Sequence, residues 1–372
     1  VSEYQYYAFQ AVDRPLSKGD RAALRAISTR AEITATTFEN HYEWGDLKGD
    51  PKAFMDRWFD VHLYLANWGT RRLMLRLPKR LIDRATLARF VGAYDGATLH
   101  ASGDTLILDI THDPEEPDDE WLDDGSGRLG ELAPLRADLL AGDLRMLYLV
   151  WLMAAEAGAL TDDTPEPLPG LRPLTGALAA FAQFFGIDAD LVAAAAERKP
   201  AASDAAPKAA RAAVEALPEA EKTALLLRVL DGDGLVGTEL RRLARVPADE
   251  DGPRRTLGTL RARAAAIRAA RAKAEAERRE AERQRQAKEA EKARRARVAA
   301  VMEWGERAWQ EVEDEAERRN ASGYDRAAQL LGDLKSIAED AGTSDAFRKR
   351  IAGIRERHAR KPRFIERLDA LR

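Results

Sequence analysis

The 372-residue chain contains no cysteine. That absence excludes disulfides, thiolate nucleophiles, iron–sulfur clusters and cysteine-ligated zinc together, and it fits a cytoplasmic protein. Histidine is scarce: His41, His62, His100, His112 and His358 are the full set, with no HExxH or HxH spacing. His41, in Asn40-His41-Tyr42-Glu43, and His112, beside Asp113, come nearest to metal ligation. Structural or solvent-facing roles fit them better, so neither metal nor cofactor is expected. Long apolar runs are missing too. The most hydrophobic stretch, Met146 to Ala155, is flanked by Asp143, Arg145 and Glu156 and is too short to span a bilayer. It reads as a buried core helix, and no membrane association is expected. Val1 to Asp13 lacks the basic, apolar and small-residue succession of a secretory signal.

Phosphate-binding and nucleophile signatures are also wanting. No Walker A or GxGxxG sequence occurs. Gly125-Ser126-Gly127 lacks the preceding strand and following helix of a nucleophile elbow. Asp231-Gly232-Asp233-Gly234 opens like a calcium loop, but Val236 stands where the glycine belongs and Arg242 where the closing glutamate belongs. It reads as a turn between helices.

What is there divides along the chain. About 45% of residues are hydrophobic, enough for real cores, and the length fits two or three domains. Abundant Ala and Arg point to a bacterial source. Residues 1–112 read as an α+β head. Strands are expected over Tyr6 to Val12, Ile33 to Trp44, Val61 to Leu65, Arg72 to Leu77 and Ala97 to Asp109, the last turning at Ser102-Gly103-Asp104. Helices are expected after a Ser17 cap, around Phe54 to Phe59, and over Leu81 to Val91. Residues 109–124 hold nine acidic side chains and no Lys or Arg, an exposed acidic loop centred on 113–128 that could shield a basic surface. A helical subdomain (129–198), a linker (199–210) and a short helical hairpin (211–252) follow. In the hairpin, Leu225, Leu226, Val229 and Leu230 share one helix face. Residues 253–300 form a long charged single helix of Ala, Arg, Glu, Lys and Gln, the best helix formers, without a leucine seam for a coiled coil. From 301 a helical module closes an α-rich chain, with Val301, Met302, Trp309 and Val312 as one stripe and Asn320 to Gly323 as a turn.

The stretches YYAFQAVDRPLS and LANWGTRRLMLRLP resemble the head of a bacterial protein family of unknown function. YDRAAQLLGDLKSIAE and IRERHARKPRFIERL are similar to the helical tail of some SWIM-zinc-finger-associated proteins. The chain lacks the cysteine ligands of that finger, so the resemblance implies no zinc site and no known activity.

Three functional readings compete. The first is a non-enzymatic adaptor or scaffold, with a protein partner held by the head and the C-terminal module and a long helix as spacer. Trp304 and Trp309 would seat a helix of this chain or of the partner. The second is a nucleic-acid- or ribosome-associated protein. Trp68, Arg71 and Arg72 would grip a base or an anion, and Arg261, Arg263, Arg268, Arg271 and Arg278 would track a phosphate backbone. A plainer reading of the first cluster puts Trp68 in the core of a tight turn. The third is an enzyme with a pocket around His41, Trp68 and Arg71. The first is preferred.

Overall fold

The computed structural model of the chain describes residues 3–114, 124–198, 207–243 and 254–370. It has an N-terminal mixed α/β region followed by a predominantly helical middle and C-terminal region. The chain divides into two compact units, Val1–Ala270 and Arg271–Arg372. Among the described residues, no helix is long and apolar enough to cross a membrane.

In the first unit, β1 (Gln5–Gln10) sets the plan. Its side chains alternate between faces: Tyr6 and Ala8 enter one core, Tyr7 and Phe9 the other. β2 (Glu32–Ile33), β3 (Thr37–Tyr42), β4 (Val61–Ala66), β5 (Arg71–Pro78), β6 (Ala97–Ser102) and β7 (Thr105–His112) complete an antiparallel sheet in the order β2-β3-β1-β4-β5-β7-β6. The smaller core lies under α1 (Lys18–Ile27) and α2 (Pro51–Arg57), whose Leu24, Phe54 and Met55 pack against Phe9, Phe38 and Phe59. Ser17 starts α1 with a reciprocal cap: its hydroxyl accepts from the Asp20 N–H, and the Asp20 carboxylate accepts from the Ser17 N–H.

The larger core lies between the other face and α3 (Arg84–Val91), α4 (Arg128–Leu132), α5 (Pro134–Leu140), α6 (Arg145–Glu156), α7 (Gly176–Phe184) and α8 (Ala189–Ala195). Met146 to Ala155 is the buried helix expected, with Tyr148 fully enclosed. A buried arginine ties α5 to the sheet. Arg136 chelates Asp13 at 2.8 and 2.7 Å and donates to the Arg76 carbonyl, while Arg76 in turn grips buried Asp60. Burial alone would raise the pKa of Asp60; Arg136 and Arg76 reverse this and hold it low. Asp109, read from sequence as the start of the acidic run, is a buried β7 residue paired with Arg72. The body of that run, residues 115–123 with Trp121, lies outside the described residues, as does any shielding by it.

Three further helices fall among the described residues of the hairpin region: α9 (Pro207–Glu215), α10 (Glu219–Leu230) and α11 (Val236–Leu243). Helix α9 begins inside the stretch read as linker, because Pro207 is tolerated in a first turn and the Ala-rich sequence after it favours helix.

Helix α12 (Leu257–Trp304) starts in the first unit. Leu257, Leu260 and Ala264 are buried in the larger core and Ile267 packs beside them, so this end is docked along one stripe. A strap from the loop after α6 holds its first turn. The Leu257 N–H donates to the Thr164 carbonyl and the Gly258 N–H to that of Asp162, both at 2.9 Å. A side chain at Gly258 would come within 3.1 Å of Asp162 Cβ. Beneath the strap, Glu166 is fully buried. It accepts from the Tyr148 hydroxyl at 2.6 Å and from the Arg255 backbone and guanidinium at 2.9–3.2 Å. Arg255 also donates to the Ala194 carbonyl. Burial first, then the neighbouring carboxylate, drives the Tyr148 pKa far above the usual phenol range, so the tyrosine is the donor.

In the second unit, the last turns of α12 pack with α13 (Glu306–Glu317), α14 (Ala321–Asp340), α15 (Ser344–Arg357) and α16 (Pro362–Asp369). Val301, Val312, Leu331, Ile354 and Phe364 form the core. Arg297 chelates buried Asp333 at 2.6 and 3.1 Å. Met302, expected in the stripe, is 62% exposed: α12 ends at Trp304, Gly305 reverses the chain at φ +52°, and the stripe is drawn from two helices. Asn320, expected in a turn, is the N-cap of α14, accepting from the Gly323 N–H at 2.7 Å.

Glu166→Ala is expected to destabilise the first unit by about 3–5 kcal/mol, because it strands the half-buried Arg255 guanidinium and the buried Tyr148 hydroxyl. Arg279→Ala, at an exposed helix pair, should change stability by less than about 0.5 kcal/mol. Urea unfolding followed by tryptophan fluorescence and circular dichroism checks the contrast.

Candidate functional site

The head cluster does not assemble as a binding grip. Trp68 stands in the β4–β5 turn, 37% exposed rather than in the core. Arg71 donates to the Phe184 carbonyl at 2.8 Å, and Arg72 chelates Asp109 with two bonds of 2.7 Å. Both guanidiniums are thus engaged within the protein. Arg71 lies opposite His112 across the ladder, whereas His41 pairs with Tyr6 and stacks its ring on Tyr4. His41 on β3 and Arg71 on β5 are thus separated by β1 and β4 in the sheet.

The arginines of α12 divide by position. Arg261 pairs with Asp162, Arg263 with Glu197 at 2.6 Å, and Arg268 with Asp188 and Asp190. They clamp the helix to the helical subdomain. Arg271 is engaged as well. Arg278 forms no ion pair among the described residues, and beyond it Arg279 and Arg295 pair one turn back with Glu275 and Glu291. Trp309 is half-buried, tilted against Phe347 of α15 and with the Arg350 guanidinium over its ring. It seats a helix of this chain. Trp304 is 47% exposed.

His62 is fully buried in the sheet of the first unit. Its ring stacks on Phe9 at 3.9 Å, its Nδ1–H donates to the Ala8 carbonyl, and Nε2 is enclosed without a hydrogen-bond partner. Burial pushes its pKa down to about 3 from 6.5. No group of three His, Asp or Glu placed to hold a metal occurs among the described residues. The depressed value means that the unfolded chain binds the proton first. Stability from this site is complete above pH 6.5 and declines as pH falls toward 3, by up to about 1.4 kcal/mol per pH unit. Urea midpoints measured from pH 7 to pH 4 should show that slope, and His62→Gln should flatten it.

The most distinctive surface is on α10. Lys222, Leu225 and Arg228 are half-buried along its inner side. On the outer side Leu226, Leu227, Val229 and Leu230 are 66, 55, 54 and 82% exposed. Burying such a side chain is worth about 1.5–3 kcal/mol, so four within five residues of one helix make an unusually apolar exposed patch. The turn after the helix is tied to the head. Asp233, in the Asp/Gly turn after it, accepts two bonds from Arg80 of the head at 2.9 and 3.0 Å and two from Arg228. Those hydrogen bonds, from Arg80 above all, hold its carboxyl well below the usual carboxylate range. Val236 and Thr238 of α11 are buried beside it. The leucine run was visible in the sequence. Its outward direction was not, because period alone does not tell which side meets the core.

No protein-family model, curated protein or solved structure matches the chain.

Asp233→Ala removes the acceptor shared by Arg80 and Arg228. Amide hydrogen exchange in 219–243 is expected to accelerate at least tenfold while the β-sheet keeps its protection.

Proposed function

We propose that this chain is a non-enzymatic adaptor that holds a protein partner on the outer face of α10. The observation that carries this reading is the exposed set Leu226, Leu227, Val229 and Leu230, on a helix locked at its far end by the Arg80–Asp233–Arg228 clamp. Anchors at i, i+1, i+3 and i+4 suit a partner groove or helix that covers one helical face. Helix α12 links this unit to the C-terminal helical module and serves as a spacer between two binding bodies. The cysteine-free composition supports a cytoplasmic setting.

The nucleic-acid reading loses ground because Arg261, Arg263 and Arg268 are already matched to carboxylates. Exchanging those partners for phosphates would release the start of α12.

A photo-crosslinking residue placed at Leu230 is expected to capture one protein in cells, and one placed at Lys288 of α12 should not. Leu226→Lys with Leu230→Lys should abolish the capture while leaving the urea midpoint nearly unchanged. Equal capture at both positions would sink the reading. So would salt-sensitive, submicromolar binding of the purified chain to duplex DNA or RNA.

A further inference from the structure

Within the C-terminal unit, α14, α15 and α16 enclose a cleft of about 640 Å³, inside the range of small-molecule sites. Its floor is apolar: Phe347 and Leu368 are buried and Ile351 is half-buried. Its rim is cationic. Lys335, Arg348 and Arg355 line it, and Glu339 is the carboxylate among the lining residues. Arg348 pairs with Asp345 and Arg355 with Asp369, but both acids are exposed at the surface. Exposed pairs of this kind contribute little, so an incoming anion exchanges for them readily, and more so once its apolar part excludes water from the cleft.

We propose that this cleft binds an amphipathic anion, with an apolar chain on Phe347, Ile351 and Leu368 and a carboxylate or sulfonate head at Arg348, Arg355 and Lys335. An uncharged chain of equal length gains the floor without the rim. A small hydrophilic anion gains the rim without the floor. An amphipathic cation meets three like charges against the single carboxylate of Glu339. The site is independent of the α10 surface and places a ligand in the module that the adaptor reading assigns to partner binding.

The test is calorimetric titration of the full chain with decanoate, with decanol and with acetate. Decanoate is expected to bind saturably at one site per chain, at least tenfold more tightly than decanol and with no measurable acetate binding. Ala352→Trp, which projects an indole into the cleft, should weaken decanoate at least tenfold. So should Arg348→Glu with Arg355→Glu. Leu226→Lys with Leu230→Lys should leave it unchanged. If Ala352→Trp fails to fold, as judged by circular dichroism, the arginine pair decides. Equal affinity for decanol and decanoate, binding undiminished in the cleft variants, or binding lost in the α10 variant would each overturn the proposal.

Discussion

The first unit turns on one enclosed carboxylate. Glu166 lies where the strap after α6, the end of α8 and the start of α12 converge, and its two oxygens gather a phenol, a backbone N–H and a guanidinium. A carboxylate so deeply buried persists only when its lone pairs are filled. The filling groups come from α6 and from the residues just before α12, so satisfying the charge also fixes where the long helix begins. The strap's pairing with Arg255 and Leu257 and the burial of Leu257, Leu260 and Ala264 follow from that fixed start. The arginines farther along then find Asp162, Glu197, Asp188 and Asp190 in reach.

The same logic recurs at smaller scale. Arg136 with Asp13 and Asp60 joins α5 to the sheet, Arg80 with Asp233 joins the hairpin to the head, and Arg297 with Asp333 joins α12 to α14. In each case a guanidinium chelates a carboxylate distant in sequence. Arginine's planar fork suits this work, since two parallel bonds fix orientation as well as distance. The protein therefore uses much of its arginine as mechanical fastening, and basic composition alone is a poor guide to its partners.

Local features were legible in the sequence. β-branched and aromatic runs marked the strands, Ser17 marked a helix start, and Ser102-Gly103-Asp104 marked the last hairpin. The poor helix-breaking content of 254–297 marked α12. What stayed hidden depends on which residues meet across long separations. Arg261 and Arg268 look alike whether they face phosphate or Asp162 and Asp188. Met302 fits an apolar stripe until Gly305 bends the chain. Leu226 and Leu230 read only as one helix face, because hydrophobic spacing reports a face and not its neighbour. The apolar α10 residues were thus present as a pattern, and their outward direction came only from the packing around Asp233.

The exposed leucines of α10 carry a consequence for the life of the molecule. On the proposed adaptor reading, a chain synthesised in excess of its partner displays Leu226, Leu227, Val229 and Leu230, an apolar run of the kind that chaperones and proteases engage. Occupancy by the partner would hide it. Cellular half-life would then follow the supply of the partner, and the two proteins would keep a matched abundance without any dedicated control.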